Sequence, residues 1–108
     1  MEQLTVKEKS GANYVLFEMT GVFNAYTSHV AQNKIYDAIK NNNVVLDLSK
    51  IIELDMAAMG IIMAAINDGA ETGHSVYLKS LSNEADKQVS ATGFKELLKI
   101  INSVTEVK

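Results

Sequence analysis

Apolar residues recur along this chain in two rhythms, and the changes between them mark out its elements. Leu4 and Val6 alternate with polar neighbours in QLTVKEK, SGAN supplies a turn, and YVLFEM opens a second run. That pairing predicts an antiparallel hairpin. TGVFNAYTS breaks the pattern. From about Thr27 the apolar positions fall at Val30, Ala31, Ile35, Ala38 and Ile39, a helical spacing that KNNN ends. Thr27 or Ser28 is the expected N-cap. VVLDLS is a short β-branched run with a polar end and predicts a buried central strand, followed by KIIEL. HSVYLKSL predicts another strand, and SNEADKQVSATG a helix capped by Ser82 or Asn83 and closed by Gly93. FKELLKII continues as a helical turn leading to a short strand, and NSVTEVK is too short to assign. Two strands followed by helix–strand–helix–strand–helix predict an α/β domain with helices packed on its sheet.

One junction stands apart. In LDMAAMGIIMAAINDGAETG, Asp55 precedes an apolar run from Met56 to Ile66 that contains no charge and no hydroxyl. Aspartate is a favoured N-cap, because its carboxylate accepts orphan N–H groups and suits the positive end of the helix dipole. Gly73 is placed to end the helix. Apolar residues all round predict a helix buried over most of its surface, with Ala57, Ala58, Gly60, Ala64 and Ala65 small enough for a close approach to the sheet.

Composition narrows the chemistry. The chain has 108 residues, 47% hydrophobic and 21% charged, which suits one globular domain spanning 1–108. It has no Cys, so disulfides, thiolate metal sites and thiol nucleophiles are excluded. All ten basic residues are lysines and the net charge is −3, so the bidentate arginine contacts of nucleic-acid readers are absent. No run approaches the length of a membrane span, and MEQLTVKEKSG lacks the pattern of a signal peptide, so a cytoplasmic location is expected. Glu53, Asp55 and Asp47 are the carboxylates available to acid–base chemistry, and Ser49 is a hydroxyl without a histidine near it in sequence. His29 and His74 lie in different elements and show no ligand spacing, so neither an enzyme nor a metal or cofactor site is expected. No phosphate-cradling glycine motif occurs, which leaves a bare helix N-terminus as the one feature of a nucleotide- or small-ligand-sensing module.

The order VVLDLS, then Asp55-Met56-Ala57-Ala58-Met59-Gly60, resembles the Asp-x-Ser-small-apolar-Gly signature of STAS domains, among them the bacterial anti-sigma factor antagonists. TGVFNAYTS is similar to that family's Gly-x-apolar-acidic loop, and SATGFKELLKI to its late Thr-Gly-apolar segment, so the resemblance covers nearly the whole chain. It implies a mixed β-sheet with helices mainly on one face. It also implies a partner-switching role in transcription: the unphosphorylated protein docks on an anti-sigma factor that is also a serine kinase, and a serine phosphatase restores the unphosphorylated form. The docking residues implied are Asn24, Ala25, Tyr26, Thr27 and Ser28 with Asp55, Met56, Ala57, Ala58 and Met59. The chain departs from the pattern twice. The phosphoacceptor serine falls at Ala57, which has no hydroxyl, and the loop aspartate falls at Asn24, which keeps the shape but not the charge. The sequence is equally consistent with a natural loss of the switch and with a serine replaced to hold the unphosphorylated state. The alternative that the same fold implies is a scaffold or small-ligand module of a signalling complex.

Overall fold

The computed structural model describes residues 3–108. Its elements are β1 (Leu4–Ser10), β2 (Tyr14–Phe23), α1 (His29–Ile39), β3 (Asn43–Leu54), α2 (Met56–Thr72), β4 (Val76–Lys79), α3 (Asn83–Ala91) and β5 (Lys99–Ile101). Single 3-10 turns at Lys95–Leu97 and Val104–Glu106 flank β5. The strands lie in the order β1-β2-β3-β4-β5, with β1 antiparallel to β2 and every other pair parallel. Each crossover therefore steps in the same direction across the sheet. Because such crossovers are right-handed, all three helices collect on one face. That face holds the main core, where Phe17, Leu46 and Leu48 of the sheet meet Ile35, Ile62 and Val89 of the helices. The opposite face carries a small apolar cluster of Leu16, Val45, Tyr77, Ile101 and Val107, with Val104 of the last turn packed against it.

The hairpin, α2 with its closing Gly73 (φ +80°), and α3 with Ser82 accepting from Ala85 N all form where the pattern predicts. Other expectations need correction. TGVF does not end β2, which runs on to Phe23. Gly21 makes that continuation possible: its φ is +108°, and a Cβ there would lie 2.3 Å from the Gln3 carbonyl oxygen. Gly21→Ala is accordingly expected to lower stability by about 2 kcal/mol or more, measured by denaturant unfolding, with conformational strain and the clash acting together.

VVLDLS and KIIEL are one strand of 12 residues rather than a strand and a connection. The register shows why the pattern conceals this. Between Asp47 and Lys50, and again between Ile51 and Glu53, β3 uses one residue more than β2 beside it. These two β-bulges shift the phase of alternation, so the core-facing residues step from Leu48 to Ile51 to Leu54.

The long helix is less enclosed than its composition predicts. Ala58, Met59, Ile61, Ile62, Ala65 and Gly69 are buried, but Met56, Ala57 and Gly60 are exposed at its start. Close approach occurs at Gly69, where a Cβ would meet the His74 carbonyl at 2.6 Å, whereas Gly60 faces open space.

Candidate functional site

The C-terminal ends of β2 and β3 lie side by side, and each hands over to a helix. Asp55 N donates to the Phe23 carbonyl at 3.3 Å, joining the two exits. The Asp55 carboxylate then works in two directions. Its Oδ1 accepts from Ala58 N at 2.9 Å, capping α2, and its Oδ2 accepts from Ala25 N at 3.1 Å, holding the neighbouring loop. The cap is the one the sequence predicts; the tie to Ala25 is a tertiary contact with no local signature.

The loop before α1 is organised by Asn24, not by the caps expected there. Ser28 occupies the N-cap position without a side-chain capping bond. The Thr27 hydroxyl donates to the Val22 carbonyl at 2.7 Å and accepts from Asn24 N at 3.0 Å. It fastens the loop to β2 and is only 5% exposed. Asn24 Oδ1 accepts from Tyr26 N at 2.9 Å and Thr27 N at 3.2 Å, an Asx turn that satisfies the N–H groups ahead of the helix. With its oxygen so engaged, its amide nitrogen points to Glu53 and donates to Oε2 at 2.8 Å.

These bonds sort the ten residues that the resemblance implies. Asn24, Thr27, Ala58 and Met59 are buried, so they shape the junction rather than face outward. Of the two methionines one turn apart at the start of α2, only Met56 stands in solvent: it is 63% exposed while Met59 is 2% exposed. Tyr26 is 80% exposed, Ala25 and Ala57 are exposed, and Ser28 and Asp55 are half-buried. A further residue belongs to this end of the sheet: Ile52, the extra residue of the second bulge in β3, is 66% exposed. Its signal was present in the sequence as the broken alternation of KIIEL. Gln88 of α3 reaches Met56, its amide 3.0 Å from the sulfur, a weak contact that brings α3 to the rim.

The groups considered for catalysis are spread through the fold. Glu53 and Asp55 hold the two loops as described. Asp47 lies on the opposite face of the sheet, 3.4 Å from the Lys79 ammonium, with Ser49 N donating to it at 3.0 Å. Burial raises its pKa, but the Ser49 bonds and the Lys79 charge outweigh that and hold the carboxyl below its ordinary value. His74 precedes β4 whereas Asp55 follows β3; in parallel strands these are opposite ends of the sheet. Among the described residues no group of three or more His, Asp or Glu side chains is placed to hold a metal ion, and no helix is long and apolar enough to cross a membrane.

The STAS domain model matches residues 3–107. The chain belongs to the STAS domain family. Among solved structures, this STAS domain is similar to a Thermotoga maritima protein described as an anti-sigma factor antagonist, with a TM-score of 0.80 and 20% identity over 94% of this chain and 89% of that one. An anti-sigma factor antagonist from Mycobacterium paratuberculosis aligns with a TM-score of 0.78 and 17% identity, covering 95% of this chain and 89% of its own. A STAS domain protein from Planctomyces limnophilus, also described as an antagonist, gives 0.78 and 12% identity over 94% and 92%. At such identities the likeness speaks for the fold, a mixed sheet with its helices on one side.

Proposed function

We propose that this STAS domain is a bacterial, cytoplasmic anti-sigma factor antagonist that acts by docking rather than by catalysis. Its partner is an anti-sigma factor with serine kinase activity, and docking frees the sigma factor to direct transcription. The observation that carries this reading is the lip where β2 and β3 give way to their helices. Three large apolar side chains, Tyr26, Ile52 and Met56, stand in solvent there beside Ala25 and Ala57, on a backbone fixed by Asp55 and Asn24. Exposed apolar residues on a rigid frame favour association, because little conformational entropy is lost on binding. The related structures described as antagonists support the same reading.

Position 57 sets the regulation. In the resembling family a serine there takes a phosphate, adding about −1.5 to −2 charge and breaking the complex, and a phosphatase reverses the change. Ala57 offers no acceptor, so this chain stays competent to bind at that position. The test is incubation with the partner kinase and ATP, followed by mass spectrometry. The chain is expected to take up no phosphate, whereas Ala57→Ser is expected to take it up at the new hydroxyl and then to lose the partner. Phosphate on Ser28, Thr27 or Ser49 of the unaltered chain would contradict the reading.

A further inference from the structure

The sheet face opposite the helices is divided in two. Toward one end the last turn covers Leu16, Val45 and Tyr77; toward the other lies an uncovered groove of about 430 Å³. Lys7 and Lys9 of β1 and Lys50 of β3 line it, with Glu18 and Asp47 in the floor. Both carboxylates already have cations: Glu18 is 3.0 Å from Lys9, and Asp47 is 3.4 Å from Lys79. Among the described residues Lys7 and Lys50 take part in no ion pair. Three lysines thus line the groove with two carboxylates, one of which is already paired with Lys79 outside the lining, in a chain whose net charge is −3.

We propose that this groove is a second interaction surface, separate from the lip, and that it takes an extended acidic segment of a protein partner. The spacing argues for that occupant. Lys7 and Lys9 are alternate residues of one strand, so they share a face at about 6.6–7 Å along the chain. An extended peptide with carboxylates at every second residue has the same repeat. Opposite charges facing each other across strands are stabilising, and like charges are not. A second copy of this chain is disfavoured on the same ground, since pairing along the β1 edge would bring lysines against lysines. The first bulge of β3 turns Ser49 and Lys50 out beside Asp47, and the hydroxyls of Thr5, Thr20 and Ser49 add neutral donors along the wall. No aromatic ring lines the groove, so a nucleobase would find nothing to stack on. A domain with an apolar lip and a basic sheet face would join two partners at once.

The experiment is fluorescence anisotropy on the full chain with a labelled peptide of about four Glu-Thr repeats, matched to the strand spacing. Saturable binding is expected, weakened about tenfold or more by the double charge reversal K7E/K50E and by raised salt. Circular dichroism is expected to be unchanged, since both lysines are exposed. Met56→Glu at the lip is expected to bind the peptide normally, which separates this surface from the proposed docking of an anti-sigma factor. Equal binding of a Gln-Thr peptide, no effect of K7E/K50E, loss of binding in Met56→Glu, or no saturable binding would each overturn the proposal. So would displacement of the peptide by inorganic pyrophosphate at concentrations no higher than the peptide's own, which would mark a small-anion site.

Discussion

Ala57→Asp is expected to weaken binding to the proposed anti-sigma factor partner by about 100-fold or more, close to 3 kcal/mol, while leaving the fold's stability within about 1 kcal/mol. The two effects separate because of where the residue sits. Ala57 is exposed in the first turn of α2, so an added carboxylate remains in water in the free protein. The helix dipole favours a negative charge there by about 0.3–1 kcal/mol, and the nearby Asp55 offsets part of that gain. In the proposed complex the same charge would lie between the partner's surface and a lip that exposes Met56 and Tyr26, losing its hydration. Ala57→Asn provides the control, since it has the same size and no charge. Calorimetric titration with the anti-sigma factor and parallel denaturant unfolding distinguish the cases. If Asn and Asp weaken binding equally, shape rather than charge governs the lip. If neither changes affinity, the lip is not the docking face.

The parts of this molecule that could be read from its sequence are those in which local chemistry and tertiary packing agree. Asp55 ahead of an apolar run is both a good cap and the cap observed, and Gly73 closes α2 in the left-handed conformation that its lack of a side chain allows. Where long-range contacts decide, the pattern misleads. Thr27 has the chemistry of a cap, but its hydroxyl is taken by the Val22 carbonyl, and Asn24, three residues earlier, accepts from the N–H groups ahead of the helix. β3 looks shorter than it is because two bulges break the period of two on which strand recognition depends. Steps of three between Leu48, Ile51 and Leu54 were the clue, and the same irregularity put Ile52 in solvent. Met56 and Met59 are one turn apart and equally apolar, yet the boundary between core and solvent runs between them. Helical periodicity gives the angle between two side chains but not the direction of the sheet, so no local reading could have divided that pair.

The second large effect concerns Asn24, where the family pattern leads one to expect an aspartate. Asn24→Asp is expected to cost about 2 kcal/mol of stability at neutral pH, and the loss should be strongly pH-dependent. Asn24 is 3% exposed, and its amide nitrogen lies 2.8 Å from Glu53 Oε2. Its side-chain oxygen is committed to Tyr26 N and Thr27 N, so an aspartate would keep the turn but set a second carboxylate against Glu53. Glu53 is exposed and can swing partly into water, which limits the repulsion to this range. The introduced carboxyl would then bind its proton more tightly in the folded than in the unfolded chain, where its pKa is about 4. Where the folded state holds the extra proton, stability falls as pH rises. The deficit should therefore be complete at neutral pH and fade on acidification toward about pH 4, since the protonated acid can donate to Glu53 much as the amide does. Adding Glu53→Gln to the variant restores a donor across the gap and should recover most of the loss. Denaturant unfolding of the single and double variants across this pH range is the measurement. A deficit independent of pH, or one that Glu53→Gln does not relieve, would mean that the Asn24–Glu53 bond is incidental to the lip. If both effects appear, the acidic loop residue expected from the family is excluded here by Glu53, and the amide is what allows two carboxylates, Glu53 and Asp55, to frame one rigid junction.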